Sequence, residues 1–501
     1  MREELFQRVI CFADYEHCLR TEAFTKLLHS FRGFVVIALN FESDVCITFL
    51  NDKIHFFVSI CRLYRLSLFP QIALIHNKSH KNSFFSKKSF FFSCTIQKKA
   101  VPLRPDFKND LKFVQTKDKN MYTRQLQSTL LQLSKTWPVI TVTGPRQSGK
   151  TTLCKMAFPD YGYVNLEHIP TRDRVMSDID GFLNQYPEGL IIDEIQNLPE
   201  LFSFIQVRVD ENKSLRYVLS GSSDFLLMQG ISQSLAGRAA VKRLLPLSIG
   251  ELGDISAYST DELMMRGFFP AVWGEERDPK EVYESYYETY LERDVRQIIN
   301  VQNLSAFRHF IALCAGRIGS EFNASALSQE VGVSNQTITN WISVLETSYT
   351  AFRLHPFYKN IGKRLSKMPK LYFYDVGLTA WILGIRNAQD LATHPLRGNL
   401  FENMIVVEML KRQFNQGEIN NLSFYRDKAK HEVDILQEFG PSIRGYEVKS
   451  GKTFHSGWLS DLKYLQGLMP EALVSTQVIY DGDEQQLSQY NGLHNYRTFF
   501  A

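Results

Sequence analysis

The stretch TVTGPRQSGKTTL, residues 141–153, decides the fold class of this chain. It follows the spacing G-x-x-x-x-G-K-[ST], with Gly144, Gly149, Lys150 and Thr151 at the required positions. Glycines let backbone N–H groups curl around phosphates, a lysine neutralises the outer phosphates, and a hydroxyl ligates Mg²⁺. The apolar run before the loop predicts a buried strand, and the following segment predicts a helix whose positive end faces the anion. The pattern therefore predicts a phosphate-binding loop (P-loop) in a parallel α/β sheet.

The whole loop is predicted to bind ATP together with Mg²⁺. The sequence contains no NKxD-type pattern that reads guanine, so ATP is favoured over GTP. A glycine-rich turn without a ligand is the alternative, but the β-branched strand before the loop argues against it. The predicted nucleotide-binding residues of the loop are Gly144, Pro145, Arg146, Gln147, Ser148, Gly149, Lys150, Thr151 and Thr152.

A second part of the predicted site is GLIIDEIQ, residues 189–196. An apolar strand ends there in Asp193 and Glu194. Such a pair is usually solvated, but at the end of a buried strand downstream of a P-loop it indicates catalysis. We expect Asp193 to hold Mg²⁺ together with Thr151, and Glu194 to orient and deprotonate the attacking water.

Two further side chains are candidates near the nucleotide. In RYVLSGSSDFLL, residues 216–227, Ser222 or Ser223 either senses the γ-phosphate or belongs to an ordinary strand-to-helix turn. In SLAGRAA, residues 234–240, Arg238 either reaches the phosphate of a neighbouring subunit or is a surface arginine. A planar guanidinium suits phosphate, which is the reason for the first interpretation and for expecting a homo-oligomer.

A helix-turn-helix is predicted by FNASALSQEVGVSNQTITNWISVLE, residues 322–346. The first helix should end near Gly332, and Ser334 should cap a second helix whose apolar face carries Ile338 and Leu345. Two later strands joined by a basic hairpin would complete a winged helix. As a DNA reader it would place one polar set in the major groove and one basic set on phosphates. These sets are Asn335, Gln336, Thr337 and Asn340, and Lys359, Lys363, Arg364 and Lys367.

The alternative for this segment is an internal lid or a module that binds a partner protein. It is favoured because the presumed reading helix lacks arginine and lysine, which supply most of the affinity for DNA. DNA therefore stays one of two open partner hypotheses.

The tail HEVDILQEFGPSIRGYEVKSG, residues 431–451, predicts a second site. Alternation along a strand puts Asp434 on one face with Glu432, and Glu447 on one face with Lys449. Turn residues between the two runs predict a hairpin, which sets Asp434 beside Glu447. We expect these two carboxylates to bind Mg²⁺ and Lys449 to lie near an attacked phosphate, as catalytic residues of a nuclease. The preceding apolar helix offers a further acid, either Glu402 or Glu408.

A series of motifs in fixed order resembles a prokaryotic family of AAA+-superfamily ATPases with a C-terminal domain of unknown function. The resemblance runs from about Met121 to the C-terminus and implies ATP binding and hydrolysis, but it implies no biological role. The motifs are GPRQSGKTTL, IIDEIQ, LSGSS, LAGR, PLSIGEL, GFFPAV, YLERDVRQI, YFYDVGL and GNLFENMIVVEML.

The tail also resembles the PD-(D/E)XK nuclease fold. Asp434, Glu447 and Lys449 match its core motif, Glu402 matches its helix acid less securely, and Val433 replaces the proline of the motif's name. The resemblance implies a nuclease-like domain. A domain used only for binding, or two ordinary strands, are the alternatives.

Composition limits the other classes of function. The chain has 501 residues, 44% hydrophobic residues and a net charge of +4, so overall charge does not argue for nucleic acid. Seven cysteines lack any CxxC pattern, which suits a cytoplasmic protein. No apolar run is long enough for a membrane span, and the N-terminus lacks a signal-peptide layout, so no membrane partner is expected.

Residues 1–120 differ in composition from the rest. They hold 17 of the 37 phenylalanines but only one of the 28 glycines, Gly33. Glycine is the usual residue of turns and helix ends. We interpret Met121 as the true start, with a phenylalanine-rich accessory domain as the alternative.

The sequence therefore predicts an α/β protein with a P-loop NTPase core, a winged-helix segment and a C-terminal nuclease-like α/β domain. The predicted function is Mg²⁺-dependent ATP hydrolysis coupled to the C-terminal domain. The alternative is a nucleotide-switched module that binds DNA or a partner without cleaving it. The predicted boundaries are 1–120 for the extension, 121–258 for the ATPase core, 259–320 for a helical segment, 321–385 for the winged helix and 386–501 for the nuclease-like domain.

Overall fold

The computed structural model describes residues 36–39, 45–50, 53–55, 122–222, 224–275, 277–291, 303–357, 368–486 and 491–501. The chain forms two compact units, Met1–Leu111 and Lys112–Ala501. In the first unit the described residues form an antiparallel sheet. Its strands are β1 (Val36–Leu39), β2 (Val45–Leu50) and β3 (Lys53–His55). Most of residues 1–120 lie outside the described part, so their status stays a prediction.

A parallel sheet forms the core of the second unit. Over the described residues it has five strands in the order β5-β6-β7-β4-β8. These are β4 (Val139–Thr143), β5 (Gly162–Asn165), β6 (Leu190–Asp193), β7 (Tyr217–Gly221) and β8 (Ala239–Arg243). Because all neighbours run parallel, their carboxyl ends meet at one edge of the sheet. The predicted α/β class with a parallel core is confirmed.

Helices cover this sheet because its central strands are apolar on both faces. Every residue of β4, β6 and β7 is buried. The helices are α1 (Leu126–Leu133), α2 (Lys150–Ala157), α3 (Ile169–Ser177), α4 (Ile179–Asn184), α5 (Glu200–Glu211) and α6 (Asp224–Gly230). A 3₁₀ turn (Ile195–Asn197) and a π-helix (Ile231–Leu235) complete the connections.

Short helices follow the core. They are α7 (Ile249–Leu252), α8 (Thr260–Arg266), α9 (Pro270–Gly274), α10 (Pro279–Tyr286) and α11 (Leu304–Ala315), with a π-helix at Tyr287–Leu291. Ser248 and Ser259 begin α7 and α8 with reciprocal capping boxes, which satisfy N–H groups that the first turn leaves free.

Two helices and a strand pair occupy the predicted helix-turn-helix region. They are α12 (Ala324–Val331), α13 (Asn335–Thr347), β9 (Ala351–Leu354) and β10 (Lys370–Phe373), the strands being antiparallel. Gly332 ends α12 in a left-handed conformation, and the Ser334 hydroxyl caps α13 by accepting the Thr337 N–H. Ile338 and Leu345 are fully buried, as their spacing predicts.

The winged-helix interpretation stays a prediction. Asn335, Gln336 and Asn340 are exposed on α13. Gln336 donates a hydrogen bond to the Asn340 side chain at 3.0 Å. The four basic residues between 359 and 367 lie outside the described residues.

A mixed sheet forms the last part of the chain, in the order β11-β12-β13-β14-β16-β15 over the described residues. Its strands are β11 (Leu422–Arg426), β12 (Glu432–Phe439), β13 (Ser442–Lys449), β14 (Leu473–Tyr480), β15 (Gln485–Gln486) and β16 (Asn491–Asn495). The accompanying helices are α14 (Val376–Ile382), α15 (Ala388–Thr393), α16 (Arg397–Asn415), α17 (Ser460–Leu468) and α18 (Tyr496–Phe500), with a 3₁₀ turn at Ser456–Leu459. The predicted hairpin is present as β12 and β13, paired antiparallel.

Helix α16 joins the parts of the second unit. Its apolar side chains, such as Phe401 and Ile405, share one buried cluster with Phe268 and Ile342 from the middle of the chain. The middle segment and the last domain are therefore packed on a common core. Within the part of the chain that the structure describes, no helix combines the length and the hydropathy of a membrane span.

Candidate functional site

The P-loop connects β4 to α2, as predicted. Gly144 has φ +148°, and a Cβ there would meet the Leu244 carbonyl oxygen at 2.1 Å, so only glycine fits without a shift. Gly149 has φ +90° and begins α2 at Lys150. The non-glycine residue Gln147 also has positive φ, at 60°. This backbone turns N–H groups toward the space above the loop.

Lys150 is buried inside the loop that precedes it. Its Nζ donates to the carbonyl oxygens of Gly144 at 2.9 Å and Pro145 at 2.7 Å. Burial lowers the pKa of Lys150 to about 8, although the charges of Glu194 and Asp193 oppose the shift. The ammonium is thus held by neutral carbonyls and keeps its charge available for an anion.

Asp193 ends β6 and is fixed by hydroxyl groups from three elements. Thr151 Oγ1 donates to its Oδ2 at 2.7 Å, and the Tyr163 hydroxyl donates to the same oxygen at 3.1 Å. The Ser220 hydroxyl donates to its Oδ1. The predicted pair of Thr151 and Asp193 is therefore brought together. Tyr163 and Ser220 were missed by sequence reasoning, since only the sheet order places β5 and β7 beside β6.

Glu194 directly follows β6. Its own backbone is strained, with a positive φ of 53°. Its carboxylate accepts hydrogen bonds from Ser222 N at 3.4 Å and Ser222 Oγ at 3.2 Å. The Gln196 amide also donates to it. The structure thus places the candidate sensor Ser222 against the candidate base Glu194, whereas Ser223 lies outside the described residues.

The residues present fit MgATP. Ser148 Oγ is fully buried and has no hydrogen-bond partner, although it lies in the loop that should surround phosphates. A buried hydroxyl without a partner is costly, so a ligand that pairs with it is favoured. Thr151 and Asp193 supply the hydroxyl and carboxylate oxygens that Mg²⁺ prefers.

Arg124 is a buried residue of the site that sequence reasoning missed. It donates to the carbonyl oxygens of Ser148 at 2.6 Å and Leu245 at 2.7 Å. It also forms an ion pair with Glu251 at 3.0 Å. Nothing in the local sequence around Arg124 marks it, because its partners are far along the chain.

Arg238 lies at the other edge of the sheet from the P-loop. It precedes β8, whose first residue Ala239 pairs with Val139 at the start of β4. Its guanidinium forms a bidentate pair with Asp210, at 2.8 and 2.7 Å. It therefore does not serve the P-loop of its own chain, and its role toward a neighbouring subunit stays a prediction.

The second site is a carboxylate cluster, by which we mean Glu402, Glu432, Asp434 and Glu447 with Lys370 and Lys449. Lys449 Nζ lies 2.5 Å from Glu447 Oε1 and 3.5 Å from Asp434 Oδ2. The Val448 N–H donates to Asp434 Oδ2 at 2.9 Å. The hairpin therefore brings together the three predicted residues Asp434, Glu447 and Lys449.

Strand β10 contributes the unpredicted side of this cluster. Lys370 Nζ lies 3.0 Å from Glu402 Oε1, 2.6 Å from Glu432 Oε1 and 3.8 Å from Asp434 Oδ1. The Tyr372 hydroxyl donates to Glu402 Oε1 at 2.5 Å. The prediction that Glu402 joins this site thus agrees with the geometry.

Glu408, the other helix acid considered, lies elsewhere. It pairs with Lys411 at 2.7 Å and accepts the Ile249 N–H at 2.8 Å. Glu408 and Lys411 lie three residues apart on α16, and the contact with Ile249 shows that Glu408 lies against α7. Of the two candidate helix acids, Glu408 is therefore not the one at the predicted nuclease-like site.

Burial raises the pKa values of two acids in this cluster. Burial and the charge of Asp434 raise the pKa of Glu447 to about 8, although Lys449 opposes the shift. The same two causes raise the pKa of Glu402 above its ordinary value. Glu447 Oε2 is buried without a hydrogen-bond partner. In the described part of the chain, no three His, Cys, Asp or Glu side chains stand in metal-binding geometry.

Three known protein families match successive parts of this sequence. Residues 136–253, which include the P-loop, Asp193 and Glu194, match the family described as AAA domain. The match to the AAA domain spans the parallel sheet and its P-loop. Residues 258–389 match Domain of unknown function (DUF8612), and residues 397–496 match Domain of unknown function (DUF4143). The last two descriptions assign no activity, so they do not test the nuclease-like interpretation.

Similar proteins carry names that are equally general. An uncharacterized protein of Mycobacterium tuberculosis is 29% identical over 327 residues, covering 63% of this chain and 71% of the relative. An uncharacterized protein of Methanocaldococcus jannaschii is 27% identical over 327 residues, covering 58% of this chain and 70% of the relative. Among solved structures, a Walker-type ATPase of Pyrococcus abyssi is 13% identical with a TM-score of 0.38, covering 53% of this chain and 96% of that one.

Proposed function

We propose that this protein is a Mg²⁺-dependent ATPase whose nucleotide state acts on the C-terminal domain. The observation that carries the first half is the hydrogen bond of 2.7 Å between Thr151 Oγ1 and Asp193 Oδ2, with Glu194 next along the chain. A hydroxyl and a carboxylate that lie together beside a P-loop can bind Mg²⁺. An adjacent carboxylate can orient and deprotonate the attacking water.

The residues divide the chemistry of hydrolysis. Thr151 and Asp193 would hold Mg²⁺, which when bound would neutralise charge on the outer phosphates. Lys150 would exchange its two loop carbonyls for phosphate oxygens, which offer a charged partner. Glu194 would accept the proton of the water that attacks the γ-phosphorus, giving ADP and phosphate. Ser222 would hold the Glu194 carboxylate in place for that transfer.

Substitution of Glu194 by glutamine tests this proposal. Glu194→Gln keeps the shape and removes the base, so turnover should fall about 10²- to 10⁴-fold. ATP binding, followed with a fluorescent analogue, should persist. Glu200→Gln on α5 is the matched control and should leave phosphate release unchanged. Full turnover by Glu194→Gln would contradict the proposed base.

A chain of buried polar contacts supports coupling to the C-terminal domain. Arg124 joins the P-loop residue Ser148 to Leu245. Two residues further on, the Leu247 carbonyl accepts from Lys411 of α16 at 2.8 Å. Glu408 of the same helix accepts the Ile249 N–H. The segment from Leu245 to Ile249 therefore touches both the P-loop and α16, so a shift of one can reach the other.

Hydrogen exchange measures this coupling. A non-hydrolysable ATP analogue should change amide exchange in α16 of the full chain. Arg124→Met should reduce that change while retaining nucleotide binding. Arg216→Met, which removes a partly buried arginine bonded to the Ser134 carbonyl instead, is the control. If α16 responds equally in Arg124→Met, the contact chain does not carry the coupling.

For the C-terminal domain we propose metal-dependent cleavage of nucleic acid. Asp434, Glu447 and Lys449 lie together, and the unpaired Glu447 Oε2 leaves one buried acceptor for a cation. Purified protein with Mg²⁺ or Mn²⁺ should nick DNA or RNA, and Asp434→Ala should not. Equal nicking by the variant would indicate contamination. Salt-dependent DNA binding without cleavage would favour the alternative of a nucleotide-switched binding module.

We also propose a homo-oligomer and a cytoplasmic location for the ATPase. An arginine that serves a neighbour's phosphate needs a second subunit, and Arg238 is 31% exposed in its pair with Asp210. Free, buried Cys154 and Cys314 suit a reducing compartment that contains ATP. Arg238→Ala should lower turnover only at concentrations where light scattering detects oligomers. Concentration-independent turnover of both proteins would contradict the neighbour role.

A further inference from the structure

Strand β10 inserts two side chains into the carboxylate cluster from another region of the chain. Lys370 and Tyr372 are two residues apart on the strand, so they share a face. Both contact Glu402 on α16. Lys370 is 2% exposed, although it carries a charge. Carboxylates around a lysine so deeply buried offset the cost of removing its charge from water.

The ammonium of Lys370 occupies the centre of the carboxylate cluster. It contacts one oxygen each of Glu402, Glu432 and Asp434, within 3.8 Å. Asp434, at 3.8 Å, is too far for a hydrogen bond and interacts with the ammonium through its charge. Burial acts to lower the pKa of Lys370, but Tyr372 and the three acids raise it well above its ordinary value. The side chain is therefore a cation held by oxygen ligands.

A divalent cation would compete with Lys370 for Asp434, which is one of the two proposed metal ligands. Mg²⁺ and Mn²⁺ bind carboxylates at short distance, and a buried ammonium beside those carboxylates weakens this binding because the two positive charges repel. With Lys370 among these acids, the described residues contain no group of three His, Cys, Asp or Glu side chains in metal-binding geometry. Glu447, a member of this cluster that is 7% exposed, has a buried Oε2 without a hydrogen-bond partner, which is a spare acceptor.

We propose that Lys370 acts as a built-in counter-cation that keeps divalent metal out of the carboxylate cluster until its side chain leaves. This inference rests on the proposed metal-binding role of the C-terminal domain. The backbone of Lys370 pairs with Leu354 at the start of β10, so release requires rotation of its side chain while this pairing is kept. Glu432 and Lys449 are 28% and 32% exposed at the side chain, which leaves a path to solvent.

We call this exclusion of metal by Lys370 the lock. Metal binding to variants of the full chain tests it. Mn²⁺ binding is measured by electron paramagnetic resonance without nucleotide, and only binding that Asp434→Asn removes is counted. Lys370→Met should bind Mn²⁺ about ten- to a hundredfold more tightly than wild type, because one unit charge is removed beside the ligands. Lys411→Met, which removes an equally buried lysine from another carboxylate, should not gain this binding.

The outcomes separate the lock from the proposed function. Tight Mn²⁺ binding by wild type that equals Lys370→Met would overturn the lock and keep the metal site. No Mn²⁺ binding by either protein would overturn both.

A measurement on wild-type protein covers the case in which Lys370→Met fails to fold. Reductive methylation with formaldehyde, mapped by mass spectrometry, reports whether each lysine is accessible. Lys370 should be unreactive without metal and should become reactive in saturating Mn²⁺. Lys411 should stay unreactive in both. Protection of Lys370 that is unchanged while Mn²⁺ is bound would overturn the proposal.

Discussion

Two buried lysines serve the two candidate sites in opposite ways. Lys150 in the P-loop is held by the carbonyl oxygens of Gly144 and Pro145, which are neutral. Lys370 in the carboxylate cluster is held by three acids. The first lysine donates to neutral acceptors, whereas the second is surrounded by anionic side chains. A lysine among carbonyls is therefore ready for a substrate, and a lysine among carboxylates stabilises the fold or blocks a site.

The largest expected effect extends the comparison to Lys411, whose partner Glu408 is also almost fully buried. Lys411→Met should lower the free energy of unfolding by about 3–5 kcal/mol, because it leaves an uncompensated carboxylate. Denaturant unfolding measures this loss. Adding Glu408→Met should restore most of it. A loss under about 1 kcal/mol would break the rule that carboxylate-held lysines stabilise the fold.

The next effect concerns ligand binding by Lys150. Lys150→Ala should weaken ATP binding by roughly 100-fold, since it removes charge-assisted hydrogen bonds to phosphate. The melting temperature without ATP should also fall, because the carbonyl oxygens of buried Gly144 and Pro145 lose their donor. Lys213→Ala, at an exposed ion pair with Asp210, is the control. Unchanged ATP affinity would remove Lys150 from the site.

A smaller effect is the pH dependence of stability from the carboxylate cluster. The pKa of Glu447 is raised from 4.5 to about 8 in the folded protein, so the native state holds its proton longer than the unfolded state. The stabilisation is complete below pH 4.5 and is lost as pH rises through about 8. Between pH 6 and 9 we expect a loss on the order of 2 kcal/mol.

Glu447→Gln isolates that contribution, because glutamine keeps the shape and does not titrate. Chemical unfolding of both proteins at several pH values should show a flatter profile for the variant. An identical slope in the two proteins would mean that another group causes the dependence. Glu438→Gln, on the neighbouring strand β12, is the control.

The smallest effect sets the scale for the others. Ser334 caps α13 by accepting the Thr337 N–H at 3.0 Å, away from both sites. Ser334→Ala should cost about 1 kcal/mol of unfolding free energy and leave ATP and Mn²⁺ binding unchanged. A change in either affinity would show that the helical middle segment communicates with a site.

Sequence reasoning succeeded where the chemistry is local. Three features each consist of residues that are close together in the sequence. They are the P-loop, the acid pair after β6, and the hairpin that carries Asp434 and Glu447. Their geometry follows from glycine conformations, strand periodicity and turn residues. The order of strands then fixes which loops meet.

Sequence reasoning failed where partners are distant. Arg124 and Leu245 are 121 positions apart, and Lys370 and Glu402 are 32 apart. No periodicity relates such residues, and one buried charge in the sequence resembles any other. The choice between Glu402 and Glu408 stayed open for the same reason, because only the packing of α16 shows which acid contacts which neighbour.

Lys370 falls within one matched domain, residues 258–389, while Glu402, Glu432 and Asp434 fall within another, residues 397–496. The charge balance of the second domain thus depends on a residue that the first one donates. A recombination that joined either region to a foreign partner would leave buried charges without their counter-ions. Selection should therefore transmit the two regions as a pair, with a change at position 370 followed by changes among the acids.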